Sequence, residues 1–194
     1  MTPQEHIMRQ TFSFFMPRSR TVFAILFMTI FCLPIMAKGW SSFKSNPEYI
    51  AGYPDNWYRT DPSSNHFNVN STEAKEGDTP ANIQVRISFL TDEEAALSWQ
   101  EFVDHQLELH IKYLDDNWLT NPTIHEADTL GIDGADLGFH LRTDLPDGEE
   151  PAVLINDYAR KGNKLYIFRF YCPMAKYEKY LTDYYTMREG FELR

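Results

Sequence analysis

Cysteine is scarce: Cys32 and Cys172 are the two in 194 residues, which excludes a disulfide-built scaffold. Basic residues are in deficit, 18 Lys and Arg against 28 Asp and Glu. The resulting formal charge of −10 excludes a general nucleic-acid binder, which needs a basic face to meet phosphates. The 9 glycines never gather into a phosphate-cradling loop, and no G-x-S-x-G nucleophile elbow is present. No segment repeats. Aromatic residues are abundant instead, with 14 Phe, 11 Tyr and 4 Trp in a chain that is 43% hydrophobic. Such a chain buries enough apolar surface to offset its conformational entropy, so it is a folded domain and not a disordered segment.

One long apolar run exists. Thr21 to Ala37 is uncharged over 17 residues, preceded by Arg9, Arg18 and Arg20 and followed by Lys38. A basic flank, an apolar centre and a small terminal residue describe a secretory signal over residues 1–37. Met16 opens MPRSR, a basic start of ordinary length for such a signal. An uncleaved anchor over residues 21–37 is the rival reading, although 17 residues fall short of the roughly 20 a spanning helix needs and Pro34 interrupts the run. Lipidation at Cys32 ranks last because the bulky Phe31 precedes it. Cleavage after Ala37 removes three arginines and one glutamate and leaves 157 residues at a net charge of −12. The expected location is therefore exported, periplasmic or extracellular. Cys172, ending an apolar run before Pro173, is expected to be buried.

Residues 38–48, with Ser, Gly, Pro and Lys but no clear period, read as a linker, and 49–194 as a single domain. Pro54-Asp55-Asn56 marks a turn, and His66 to Asn70 a short strand. Ile83, Val85, Ile87 and Phe89 alternate with Gln84, Arg86 and Ser88, the period of a half-buried strand. Thr91 and Glu94 form a capping box. Ala96, Trp99, Val103, Leu107, Ile111 and Leu114 then mark one apolar stripe of a helix that ends at Asp115-Asp116-Asn117. Four strands are expected next, Thr123 to Leu130, Ala135 to Arg142, Ala152 to Arg160 and Lys164 to Cys172, the last pair joined by a hairpin at Lys161-Gly162-Asn163. Tyr177, Tyr180, Leu181, Tyr184, Met187 and Phe191 predict a closing amphipathic helix and tail. Short turns between the later strands require antiparallel pairing, so the class is α+β, an antiparallel sheet with helices packed on it.

The chemistry-bearing residues are sparse. His105 and His110 lie about 140° apart round a helix and cannot grip one ion together. Glu101, His105 and Glu108 do share a helix face, the spacing of a carboxylate–histidine metal site and equally that of a solvated face. His125, His140 and Asp157 fall on neighbouring strands as a candidate hydrolytic cluster, yet no serine is nominated to join them. Asp144, Asp147, Glu149 and Glu150 make an acidic loop without the alternating ligands of an EF-hand. No catalytic residue, metal site or cofactor is assigned on these grounds. Asn70-Ser71-Thr72 is a glycosylation sequon, meaningful in a eukaryotic host alone. The aromatics lead further: Trp57, Tyr58, Trp99, Trp118, Tyr177, Tyr180, Tyr184 and Tyr185. Since Tyr184 and Tyr185 cannot both point inward from one helix, Trp57, Tyr58, Tyr184 and Tyr185 are the candidate partner-binding residues.

The order of elements resembles the PsbP-like and Mog1-like fold, including exported bacterial proteins of the DcrB type. The resemblance rests on Tyr53-Pro54-Asp55-Asn56-Trp57, the strand Asn82 to Leu90 leading into the helix Glu93 to Leu114, Gly134 and Gly138, the hairpin Tyr158 to Tyr166, and the closing Gly190-Phe191-Glu192-Leu193. It spans about Tyr49 to Leu193. It implies an α/β/α sandwich and a role in binding or assembly without a catalytic centre. The photosystem members' metal and subunit contacts find no matching motif here. The expected function is an exported, non-enzymatic accessory domain that engages a protein partner at the cell envelope, with no nucleic acid and with membrane contact only through an uncleaved N-terminal segment. Two rivals stand beside it: a hydrolase or metal-dependent enzyme using His125, His140 and Asp157, and a small-ligand binder with an aromatic-lined cleft.

Overall fold

The computed structural model describes residues 39–43, 46–61, 63–64, 66–72, 77–117, 121–146 and 150–194. The expected signal segment and Trp118 lie outside the described residues. Gly39–Arg194 forms one compact unit. Its strands are β1 (Trp40–Phe43), β2 (Tyr49–Pro54), β3 (Trp57–Arg59), β4 (Asn68–Ser71), β5 (Asn82–Phe89), β6 (Thr123–Ile124), β7 (Asp128–Thr129), β8 (Leu137–Leu145), β9 (Ala152–Lys161), β10 (Lys164–Pro173) and β11 (Glu192–Leu193). The helices are α1 (Asp92–Ala95), α2 (Trp99–Asn117) and α3 (Tyr177–Glu189).

Eight strands form one antiparallel sheet in the order β3-β4-β5-β10-β9-β8-β6, with β7 also pairing on β8. A three-stranded sheet, β1-β2-β11, and α3 pack on one face of it. Helix α2 packs on the other. The class is α+β, as the sequence predicts, in three layers. Strand β1 comes from the segment read as linker: Phe43 pairs with Ala51 and Trp40 with Pro54. Residues 40–43 therefore belong to the folded unit.

The expected first helix splits in two. Thr91 and Glu94 do form the capping box, with Thr91 N donating to Glu94 Oε2 at 2.7 Å and Glu94 N to Thr91 Oγ1 at 3.2 Å, but α1 ends at Ala95. The chain turns through Ala96–Ser98 and restarts. Ser98 N donates to Glu101 Oε2 at 3.0 Å, the same spacing of hydroxyl residue and glutamate, and this fixes the start of α2. The restart changes which face is buried. Phe102, Val103, Gln106, His110 and Leu114 point inward, whereas Ile111 of the expected stripe is exposed. The predicted strand Thr123 to Leu130 is likewise divided into β6 and β7, with Glu126 and Ala127 unpaired between them.

Packing on the two faces is dominated by rings. On the α3 side Tyr49, Phe67, Phe168, Phe170, Tyr184, Met187 and Phe191 are buried, and Phe170 stacks on Tyr184 with centroids 4.9 Å apart. On the α2 side Phe139 stacks on Tyr158 at 4.5 Å and meets Phe102 edge-on. Each such ring, fully buried, contributes about 1.5–3 kcal/mol. Cys172 is buried and reduced.

Candidate binding face

Strand pairing places directly opposed residues on the same side of the sheet, so the face that meets α2 is read row by row. One row runs Tyr58, Asn70, Asn82, Tyr171, Leu154, Thr143. The next runs Asn68, Gln84, Arg169, Asn156, Leu141. The third runs Arg86, Ile167, Tyr158, Phe139. Towards the outer strands the rows turn to amide and guanidinium side chains, Asn70 and Asn68 on β4 and Asn82, Gln84 and Arg86 on β5. Asn82 Nδ2 ties the outer strands together, donating to Asn68 Oδ1 and Asn70 Oδ1 at 2.7 Å each. This polar half of the face explains why β5 alternates so regularly: Ile83 and Val85 enter the α3-side core while Gln84, Arg86 and Ser88 face the other way.

At the border of the two halves lies a buried polar chain. Arg169 Nε donates to Asn156 Oδ1 at 2.8 Å. Asn156 Nδ2 lies 3.3 Å from His110 Nδ1, and His110 Nε2 lies 2.8 Å from Thr143 Oγ1. The guanidinium can only donate, so Asn156 must present its oxygen to Arg169 and its amide N–H to His110. His110 is thereby assigned as neutral, with its proton on Nε2 and shared with Thr143. Burial, assisted by the nearby Arg169 charge, pushes the His110 imidazole down to about 4. Burial and then Arg86 likewise hold the Arg169 guanidinium below its ordinary value.

Two of the hollows on the α2 side share Tyr113 and Arg169. One, of about 240 Å³, lies between α2 and the ends of β5 and β10, with Ser88, Leu109, Tyr158 and Leu165 among its lining residues. Leu109 is 46% exposed, so its α2 wall is apolar and unburied. Phe89, next to Ser88 in the alternation, turns its ring to the α3 side, where Lys164 Nζ lies 5.6 Å from the ring centre and also bonds Glu48. The second, of about 290 Å³, is lined by Asn82, Gln84, Arg86, Tyr113, Arg169 and Tyr171, with Leu154.

The four aromatic candidates separate. Trp57 is 2% exposed, its Nε1 donating to Asp183 Oδ2 at 2.9 Å and its ring edge-on to Tyr180. Tyr184 is fully buried, its hydroxyl donating to Asp157 Oδ2. Neither offers a surface to a partner, which corrects the sequence expectation: each has an internal acceptor for its polar atom, so burial costs it nothing in hydrogen bonding. Tyr185 is 38% exposed, but its ring lies under Arg188 and against Tyr184. Tyr58 is half-buried on the polar half of the α2-side face.

The histidine clusters separate too. His140 Nδ1 lies 2.6 Å from Asp157 Oδ1, while His125 pairs instead with Asp144 at 3.0 Å. The proposed trio is thus two pairs, and the group completing Asp157 is the core hydroxyl of Tyr184. Glu101 is bound to Ser98 and His105 to Glu94 at 3.0 Å, so their shared helix face is occupied by capping. Among the described residues no group of three or more His, Cys, Asp or Glu is placed to hold a metal ion. Of the acidic loop, Asp144 meets Arg142 at 2.8 Å, while Asp147 and Glu149 lie outside the described residues. Sequence reasoning missed Arg169. Its signal was a lone cation in the apolar run Leu165 to Cys172 of β10, where a charge has no place unless a network receives it.

Neither a family model nor a curated protein matches the sequence. Among solved structures the chain is similar to cyanobacterial PsbP (CyanoP) from Synechocystis sp. PCC 6803, with a TM-score of 0.56 and 16% identity over 84% of this chain and 97% of that one. The fold is PsbP-like. LpqN of Mycobacterium tuberculosis, involved in cell envelope biogenesis, is similar at a TM-score of 0.56 and 11% identity, over 81% of this chain and 91% of that one. The PsbP-like expectation drawn from the order of elements therefore holds at the level of fold. Among the described residues of this PsbP-like domain, no helix is long and apolar enough to cross a membrane.

Proposed function

We propose that this PsbP-like chain is an exported, non-enzymatic accessory domain that engages a protein partner at the cell envelope through its α2-side face. The observation that carries the reading is the half-covered sheet: α2 shields β8–β10, while β3–β5 and the exposed Leu109 of α2 stay open. An isolated exposed leucine is unremarkable, but Leu109 lines one hollow together with Tyr158, Leu165 and Ile167, an arrangement suited to a partner side chain. The signal-like segment before Lys38 supports export, and the envelope role of LpqN supports the compartment by likeness of fold.

The experiment is affinity capture from an envelope fraction with the tagged wild-type chain and with the S88R/L109S double variant, which blocks the hollow and removes its apolar wall. The wild type is expected to enrich the same partner in every repeat, and the variant to lose roughly tenfold or more, the loss of about 1.4 kcal/mol or more that a central apolar contact carries. The recovered wild-type protein should begin at Lys38. Equal capture by both forms contradicts the assignment of the surface, and a retained residue 1 contradicts cleavage.

A further inference from the structure

An acidic protein rarely leaves a buried cation without a carboxylate. Arg169 is 8% exposed, its Nε is spent on neutral Asn156, and its guanidinium lies 5.1 Å from the centre of the Tyr113 ring and also hydrogen-bonds the Tyr113 side chain. No carboxylate among the described residues pairs with it, nor with Arg86, which hydrogen-bonds Gln84 at 3.4 Å. Register makes the two arginines diagonal neighbours, because Arg169 pairs with Gln84 and Arg86 with Ile167. Diagonal pairs stand about 7 Å apart on a sheet face, within reach of long side chains. Two like charges so placed repel each other, and Arg86 does lower the affinity of Arg169 for its proton.

Both guanidiniums line the same 290 Å³ hollow, with the amides of Asn82 and Gln84 on its floor and Tyr113 and Tyr171 on its walls. The nearby acids lie towards its edges: Glu94 borders the neighbouring hollow, where His105 and the α1 cap hold it, and Glu150 acts on Tyr171. Guanidinium forks match carboxylate and phosphate oxygens in pairs. The amide N–H groups of Asn82 are given to Asn68 and Asn70. The amide N–H that completes such a cradle is therefore that of Gln84, whose oxygen accepts from Arg86. The low exposure of Arg169 suits a small molecule that enters a hollow better than it suits a flat macromolecular surface.

We propose that the hollow between Tyr113 and Tyr171 is a binding site for a small oxyanion-bearing ligand, its carboxylate or phosphate group held between Arg169 and Arg86. This inference goes beyond the partner-binding reading and does not depend on it. An occupying anion relieves the repulsion between the guanidiniums, offsets the desolvation of Arg169, and weakens the field that Arg169 exerts on His110. The last effect is independent of the direct contacts, since His110 is reached through Asn156.

The test uses the full chain with inorganic phosphate and with succinate, each against sodium chloride at equal ionic strength, followed by side-chain NMR of arginine Nε–H and histidine signals. The expected result is a saturable shift at Arg169 and Arg86 with a rise in the His110 pKa, and roughly tenfold weaker binding in Arg86→Gln, the loss of a charge-assisted contact. The stronger of the two anions identifies the head group. Arg86 is exposed, so its variant folds even if Arg169→Gln does not. A non-saturating response spread over the basic side chains, or equal binding by Arg86→Gln, overturns the site whether or not a protein partner is found.

Discussion

Protonating His110 would set a new N–H on Nδ1 against the amide N–H of Asn156, 3.3 Å away, in a pocket already carrying Arg169. The fold therefore favours the neutral ring, and its affinity for a proton falls to about 4. The unfolded chain binds that proton near 6.5. Stability from this residue is complete above pH 6.5 and is lost as pH falls towards 4, because the unfolded state takes up the proton first. The loss amounts to about 2 kcal/mol by pH 5. Urea unfolding at pH 7 and pH 5 checks it, and H110Q is expected to flatten the difference. None of this was legible in the sequence, where His110 stood as one helical histidine among others. Its neutrality is set by Asn156 and Thr143 on strands β9 and β8, reached only through tertiary packing. Asp157 was legible as the partner of His140, but not Tyr184 as the third member.

The elements themselves were largely written in local patterns. Alternation marks β5, and the hairpin between β9 and β10 follows from Gly162, whose φ is +56°. The break between α1 and α2 was present as a second hydroxyl–glutamate pair, Ser98 and Glu101, but a continuous apolar stripe concealed it. Ile111 followed that stripe to the wrong face. Gly134 shows how one position joins elements distant in sequence: its φ is +78°, and a Cβ there would lie 2.3 Å from the Leu193 carbonyl oxygen. Next to it Asp133 accepts from Leu193 N at 3.1 Å, which docks β11. Gly134→Ala is expected to cost more than about 1 kcal/mol, through both backbone strain and contact. Thermal unfolding checks the cost, and faster amide exchange at Leu193 would locate it. An unchanged midpoint would mean that the β11 contact yields freely.

For the whole molecule, the α+β class and three-layer packing follow from element order, and the PsbP-like fold confirms that level of reading. The half-open face does not follow from order. It depends on β4 pairing β5 and on β10 lying between β5 and β9, pairings that no local pattern specifies, so the aromatic search settled on Trp57 and Tyr184, both core residues. The open half carries Asn70, Asn82, Gln84 and Arg86 and ends in Ser88. The α3 side, by contrast, is closed by β1-β2-β11 and offers Tyr185 already engaged with Arg188. The central claim is that partners meet the α2-side face. Site-specific photo-crosslinking in living cells from position 88, compared with position 185, tests it most directly. The account predicts a discrete adduct from position 88, absent from position 185 and abolished by L109S. An adduct from 185 with none from 88 would contradict it.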